Sequence, residues 1–356
     1  MMRKIISQSD LAALVTKLVD SKVRVIAPVR AKDNPERTDY RPIQHLEDAV
    51  LNGRLPRRSL KEFFLPASEV LLCYRQRKDD LDVEEFRTAF RAQVILGARP
   101  CDAAGIDILD RVMGWDYRDD LWFGRREATT IVSLACPGID DCCFCSAVGL
   151  GPDSTRGSDV MLVPLDGKYL AEAATPKGEA LMSQEPLKSL PGATGEENAE
   201  ALCRTARKTV AKNLPAVPSF LPEWLAGNFD HDLWKALALR CHGCGMCASV
   251  CPTCHCFDIV DEHEHYDRGV RRRNWDSCQT AKFTLHASNY NPRGSQNERF
   301  RQRVMHKFSI YPRRFDTLLC TGCGRCTRDC PAGMNLLEVV GQLTELVKTE
   351  ARKDSR

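Results

Sequence analysis

Cys241-x-x-Cys244-x-x-Cys247-x-x-x-Cys251-Pro252 recurs as Cys320-x-x-Cys323-x-x-Cys326-x-x-x-Cys330-Pro331. Three thiolates on one tight turn can cap three irons of a cubane, while the fourth, held before a proline, points away toward a second cluster. The spacing assigns Cys241, Cys244, Cys247 and Cys330 to one [4Fe-4S] cluster, and Cys320, Cys323, Cys326 and Cys251 to another. Zinc is the competing chemistry, but four-cysteine zinc sites use two separated Cys-x-x-Cys pairs, not a continuous run closed by proline. A chain so equipped can move single electrons.

The chain has 18 cysteines, and those outside the two motifs are grouped. Cys101 follows one apolar run and Cys136 follows the next, with Cys143-Phe144-Cys145 a few residues on. Ends of neighbouring strands converge, so Cys101, Cys136, Cys143 and Cys145 are candidates for a third cluster; the alternative is buried, reduced cysteine acting as a small hydrophobe. Cys254, Cys256 and Cys278 form a second group of candidate further ligands, with the same alternative. Cys73, Cys142 and Cys203 are read as structural. Glu262-His263-Glu264-His265 lacks the helical His-x-x-x-His geometry of zinc sites and reads as a solvated acidic loop. Arginines at 268, 271, 272 and 273, and again from 293 to 314, crowd the insertion between the motifs. There they would offset cluster charge or meet an acidic partner. No groove-reading or aromatic-interleaved pattern accompanies them, so no nucleic acid is expected as a partner.

The elements that must position these thiols are of two kinds. Residues 23–29 and 92–96 read as buried strands, the second leading through Arg99-Pro100-Cys101-Asp102 into a helix carrying Ile106, Ile108, Leu109 and Val112. Residues 130–134 read as another strand, 160–170 as a hairpin turning at Asp166-Gly167, and 198–214 as a helix. The Pro-rich stretch 215–224 reads as a hinge. The expected class is α+β: an N-terminal α/β domain over 1–220, and a helical ferredoxin-like two-cluster domain over 221–356. The 68 residues between Cys251 and Cys320 suit a helical insertion, and Leu336, Leu337, Val339, Val340, Leu343, Leu346 and Val347 form an apolar stripe that would cover the clusters.

A chain of 356 residues with 43% hydrophobic content can build two real cores. The first residues carry no export signal, so the cysteines are expected to stay reduced as ligands in a cytoplasm. No run is long enough to span a bilayer, so no membrane insertion is expected. The formal charge of +3 is offset by the negative charge that two clusters bring. There is no Gly-x-Gly-x-x-Gly after a strand and no phosphate-binding loop opening a helix, so flavin and NAD(P) are expected on another subunit.

Several segments carry a resemblance. Ala98-Arg99-Pro100-Cys101-Asp102, Cys143-Phe144-Cys145 with Gly149-Leu150-Gly151-Pro152, Cys251-Pro252-Thr253-Cys254-His255-Cys256-Phe257, Asn274-Trp275-Asp276-Ser277-Cys278 and Tyr311-Pro312-Arg313-Arg314-Phe315 resemble the beta subunit of cytoplasmic NiFe sulfhydrogenases and the corresponding iron–sulfur subunit of anaerobic sulfite reductase. The resemblance implies a two-cluster electron-transfer subunit beside a flavin and NAD(P)-binding reductase subunit. It also implies a terminal catalytic metalloenzyme, either a NiFe hydrogenase, a sirohaem sulfite reductase or a heterodisulfide-reductase-like assembly, with the 311–315 segment closer to the hydrogenase branch. Two other classes stay open: a sulfur or disulfide oxidoreductase with an open-site cluster at the Cys254 group, and a redox-sensing structural protein.

Overall fold

Short apolar runs alternating with helices build a mixed sheet around which the chain is organised. The computed structural model describes residues 2–85, 89–136, 139–190 and 197–354. Its strands are β1 (Arg3–Ser7), β2 (Arg24–Arg30), β3 (Thr38–Ile43), β4 (Ser68–Arg77), β5 (Asp80–Glu85), β6 (Gln93–Ala98), β7 (Thr129–Leu134), β8 (Val160–Leu165), β9 (Lys168–Ala173), β10 (Phe257–His265) and β11 (Arg268–Trp275). Seven of them form one sheet in the order β1-β9-β8-β7-β6-β2-β3. Strands β2, β6, β7 and β8 run parallel at its centre, and β1, β9 and β3 pair antiparallel at its edges.

Parallel strands need both faces covered. Helix Gln8–Asp20, capped by Ser7 and Asp10, lays Leu11, Leu14, Val15 and Leu18 against Val25, Val94, Val132 and Val160 on one face. Those four helix positions lie on one stripe of a 3.6-residue period. Helices Pro100–Met113 and Asp120–Glu127 cover the other face, packing Ile106, Leu109 and Trp122 against Ile26, Ile95 and Ile131. The fold is α+β, as the sequence pattern implied.

The second core lies among helices Leu221–Gly227, Leu233–Ala238, Gln296–Met305 and Leu336–Asp354, where Leu221, Leu225, Trp234, Val304, Val340 and Leu343 meet Cys320 and Phe144. The stretch expected as a hinge is anchored at two points: Val217 N–H donates to Ala147 O at 2.8 Å, and Leu221 is fully buried. The insertion between the motifs is not wholly helical. It begins with the β10–β11 hairpin, which continues through β4 to β5 in a four-stranded antiparallel sheet drawing two strands from each side of residue 220. His263 and His265 therefore sit on an exposed strand, not in a loop. The hairpin lacks apolar alternation on β10, whose pairing is reinforced by cross-strand charges, Arg271 with the directly opposed Asp261 and Arg272 with the diagonal Glu262, each at 2.7 Å.

Candidate iron–sulfur centres

Strands β6 and β7 are parallel neighbours, so the segments leaving their carboxyl ends emerge side by side, the place where open α/β sheets build sites. Cys101 lies in the first turn of helix Pro100–Met113, and Cys136 two residues beyond β7. The loop that follows is held by Asp140: its side chain accepts from Cys142 N–H at 3.0 Å and pairs with Arg328 at 2.6 Å. Asn213 Nδ2 bridges Asp140 O and Cys143 O at 2.9 and 2.7 Å. Phe144 N–H donates to Gly322 O at 2.7 Å, which docks the loop onto the second cysteine motif. Cys101, Cys136, Cys143 and Cys145 line one cavity together with Pro152, Gly322 and Cys323. Burial pushes the Cys101 thiol well above its ordinary range and Cys145 up to about 12, with Cys136 and Cys323 adding to both.

Gly322 has φ +62°, and a Cβ there would stand 2.5 Å from Cys145 N and Phe144 O. Gly322→Ala is therefore expected to force the two loops apart, costing about 1–3 kcal/mol from overpacking alone. Anaerobic denaturant unfolding checks this; an unchanged midpoint would show that the loops are not tightly docked.

A second cavity collects Cys241, Cys244, Cys247 and Cys330, with Cys326 also on its wall. Gly243 and Gly245, at φ +70° and +76°, let the chain turn between these thiols, a conformation that costs glycine little. Backbone and side-chain donors point at sulfur: Gln296 Nε2 to Cys241 Sγ at 3.2 Å and Met334 N–H to Cys330 Sγ at 3.3 Å. Leu336 and Val339 of the last helix close the cavity, so the apolar stripe does cover these cysteines.

Cys251, Cys320 and Cys323 gather around Cys326, deep in the fold. Burial raises Cys326 to about 12 and Cys320 to about 11, and the neighbouring thiols add to burial in each case. Gly322 N–H donates to Cys320 Sγ at 3.4 Å. Cys251 Sγ lies 3.3 Å from Thr253 Oγ1, which donates to Leu319 O at 2.8 Å. None of the eighteen cysteines is in a disulfide, and among the described residues no group of three or more His, Cys, Asp or Glu closes on a single metal ion. Soft thiolates in walled cavities, met by N–H donors at sulfur, are the donor set that suits iron–sulfur clusters.

The 4Fe-4S dicluster domain family matches residues 240–334. The beta subunit of sulfhydrogenase 2 from Pyrococcus furiosus is 28% identical over 333 residues, covering 90% of this chain and 92% of that protein. Over most of its length this chain is similar to a sulfhydrogenase beta subunit, and it carries a 4Fe-4S dicluster domain.

Within the dicluster region the remaining cysteine group is only partly assembled. Cys256 and Cys278 are in hydrogen-bonding contact, and Cys254 touches Cys251. Arg303 Nη1 donates to Cys254 Sγ at 3.2 Å and Gln279 Nε2 to Cys278 Sγ at 3.5 Å. Contact with Cys256 holds the Cys278 thiol down at about 6, the largest of several causes. Of the structural cysteines, Cys203 is buried beside Asp153 and raised to about 11, Cys73 lies on β4, and the Cys142 carbonyl packs on Gly324. Four arginines of the dicluster insertion are paired with carboxylates: Arg271 and Arg272 across the hairpin, Arg273 with Glu69 and Asp119, Arg301 with Asp230. Sequence reading misses Lys307 and does not set Arg303 apart from the other arginines. Their only signal is that two cations four apart share an apolar face with Phe300, Val304 and Phe308. Among the described residues, no helix is long and apolar enough to cross a membrane.

Proposed function

We propose that this chain is the iron–sulfur electron-transfer subunit of a cytoplasmic oxidoreductase complex, relaying electrons between a reductase partner that binds flavin and NAD(P) and a terminal NiFe hydrogenase. The observation that carries the reading is the convergence of cysteine sets on walled cavities: Cys241, Cys244, Cys247 and Cys330 on one, and Cys101, Cys136, Cys143 and Cys145 on another. The buried set of Cys251, Cys320, Cys323 and Cys326 stands beside both. These sets would hold two [4Fe-4S] clusters in the dicluster domain and a third at the sheet edge. Bound clusters supply one-electron acceptors and donors that a two-electron flavin needs downstream. The chain's own part is to line the inner wall of the cavity with Leu336, Val339 and Phe300 and to aim N–H donors at sulfur. The relative's name, a sulfhydrogenase subunit, supports the hydrogenase as terminal catalyst.

The test is made on the complex purified anaerobically. NAD(P)H is expected to reduce the clusters of this chain only when the flavin subunit is present, and protons with the hydrogenase to reoxidise them; clusters that never change state during turnover would contradict the relay. For the third set, Cys136→Ser is expected to lower iron by about four per chain while the dicluster signals persist. Unchanged iron would leave Cys101, Cys136, Cys143 and Cys145 as buried thiols. A second reading, reduction of sulfur or a disulfide at Cys254, Cys256 and Cys278, is favoured by the Cys256–Cys278 contact, and turnover by the chain alone with a reduced dye would support it.

A further inference from the structure

Helix Gln296–Met305 passes directly into a single π-helical turn, His306–Ile310, closed by Tyr311 N–H donating to His306 O at 3.1 Å. Such turns mark places where a helix is re-aimed, frequently at functional sites. This one turns Lys307 inward. Lys307 is 2% exposed, and its ammonium donates to Cys251 Sγ at 3.3 Å, Thr253 Oγ1 at 3.0 Å and Leu319 O at 2.8 Å. One turn earlier, Arg303 is 3% exposed and donates to Cys254 Sγ at 3.2 Å and Cys247 O at 3.1 Å, on the wall of the Cys241 cavity. None of these acceptors is a carboxylate.

Burying an unpaired cation costs several kcal/mol. Elsewhere in the fold the buried guanidinium groups of Arg325 and Arg273 meet Asp102 and Glu69. At Lys307 and Arg303 the neighbouring groups able to carry negative charge are thiols. We propose that Lys307 and Arg303 are potential-setting residues, fixed counter-charges for the two cysteine sets of the dicluster domain, with Lys307 serving Cys251, Cys320, Cys323 and Cys326 and Arg303 serving Cys241, Cys244, Cys247 and Cys330. This rests on the ligand sets proposed above. Taking up one electron from the flavin-bearing partner adds one negative charge and no proton, so a fixed cation at hydrogen-bonding distance favours the reduced form. Both are positioning residues in this sense: Lys307 touches the sulfur of the ligand Cys251, Arg303 touches the carbonyl of the ligand Cys247 and the sulfur of its neighbour Cys254, and neither holds a substrate.

The experiment compares the whole chain with Lys307→Met and Lys307→Arg, each assayed for iron and acid-labile sulfide and then titrated potentiometrically with dithionite under electron paramagnetic resonance. At matched iron content, Lys307→Met is expected to shift the reduced-to-oxidised ratio of one cluster at least tenfold toward oxidised, ~59 mV for a one-electron couple. The other cluster and a Lys307→Arg sample are expected to move less than about twofold. A full complement of iron with no shift in Lys307→Met overturns the proposal, as does Lys307→Arg shifting as far as Lys307→Met, which would make the effect one of shape. Wild-type chain without iron or sulfide would overturn the ligand reading beneath it, a different failure. Should Lys307→Met lose its iron, Arg303→Met and Arg303→Lys carry the same test, with the same outcomes, on the neighbouring set.

Discussion

Cys323→Ser is expected to abolish NAD(P)H-linked turnover of the complex while the terminal catalyst keeps its activity with an artificial dye. Cys323 stands where two cysteine sets meet: it borders the Cys101, Cys136, Cys143 and Cys145 cavity and lies close to Cys326 and Cys320 in the buried set. Serine keeps the volume but replaces a soft thiolate with a hard, weakly acidic hydroxyl, a poor iron ligand. The position is almost fully buried, so no water can take its place without cost. The measurement is a pair of assays on one preparation, with iron content as the control. Equal loss of both activities in an assembled complex would contradict a role as relay.

Asp102→Ala is expected to destabilise the fold by about 3–5 kcal/mol, the usual cost of stripping one partner from a buried pair. Arg325 meets both carboxylate oxygens of Asp102, at 2.6 and 2.8 Å, and its Nε donates to Pro56 O at 2.9 Å. Tyr40 Oη donates to Asp102 at 2.9 Å. The two side chains are 1% and 0% exposed. Asp102 follows Cys101 on the sheet side and Arg325 lies between Cys323 and Cys326, so the pair fastens the sheet to the dicluster loop. Its desolvated guanidinium would lose its carboxylate partner in Asp102→Ala. Anaerobic denaturant unfolding reads the loss, and the double variant Asp102→Ala/Arg325→Met is expected to recover part of it. A loss under about 1 kcal/mol would show the pair to be hydrated in solution.

How legible this was depends on the length scale of each interaction. Strands β2, β6, β7 and β8 were readable as short continuous apolar runs, and helix Pro100–Met113 and the last helix by a periodic apolar face. The β10–β11 hairpin was not, since β10 is exposed nearly throughout and is paired by charge rather than by alternation. Nor was β4–β5, whose second strand is wholly exposed. The cysteine motifs were legible as local spacing, and Cys101 with Cys136 as consecutive strand ends. Asp102 and Arg325 are 223 residues apart, and nothing in either local sequence names the other. Lys307 and Arg303 looked like two more members of a basic insertion; only burial separates them from Arg271 and Arg272.

The most direct test of the central claim is the iron and acid-labile sulfide content of this chain, purified anaerobically through a tag and resolved from its partners. About eight to twelve of each per chain, with signals of reduced cubane clusters, is the predicted result. Zinc in the cysteine motifs with no acid-labile sulfide would contradict it.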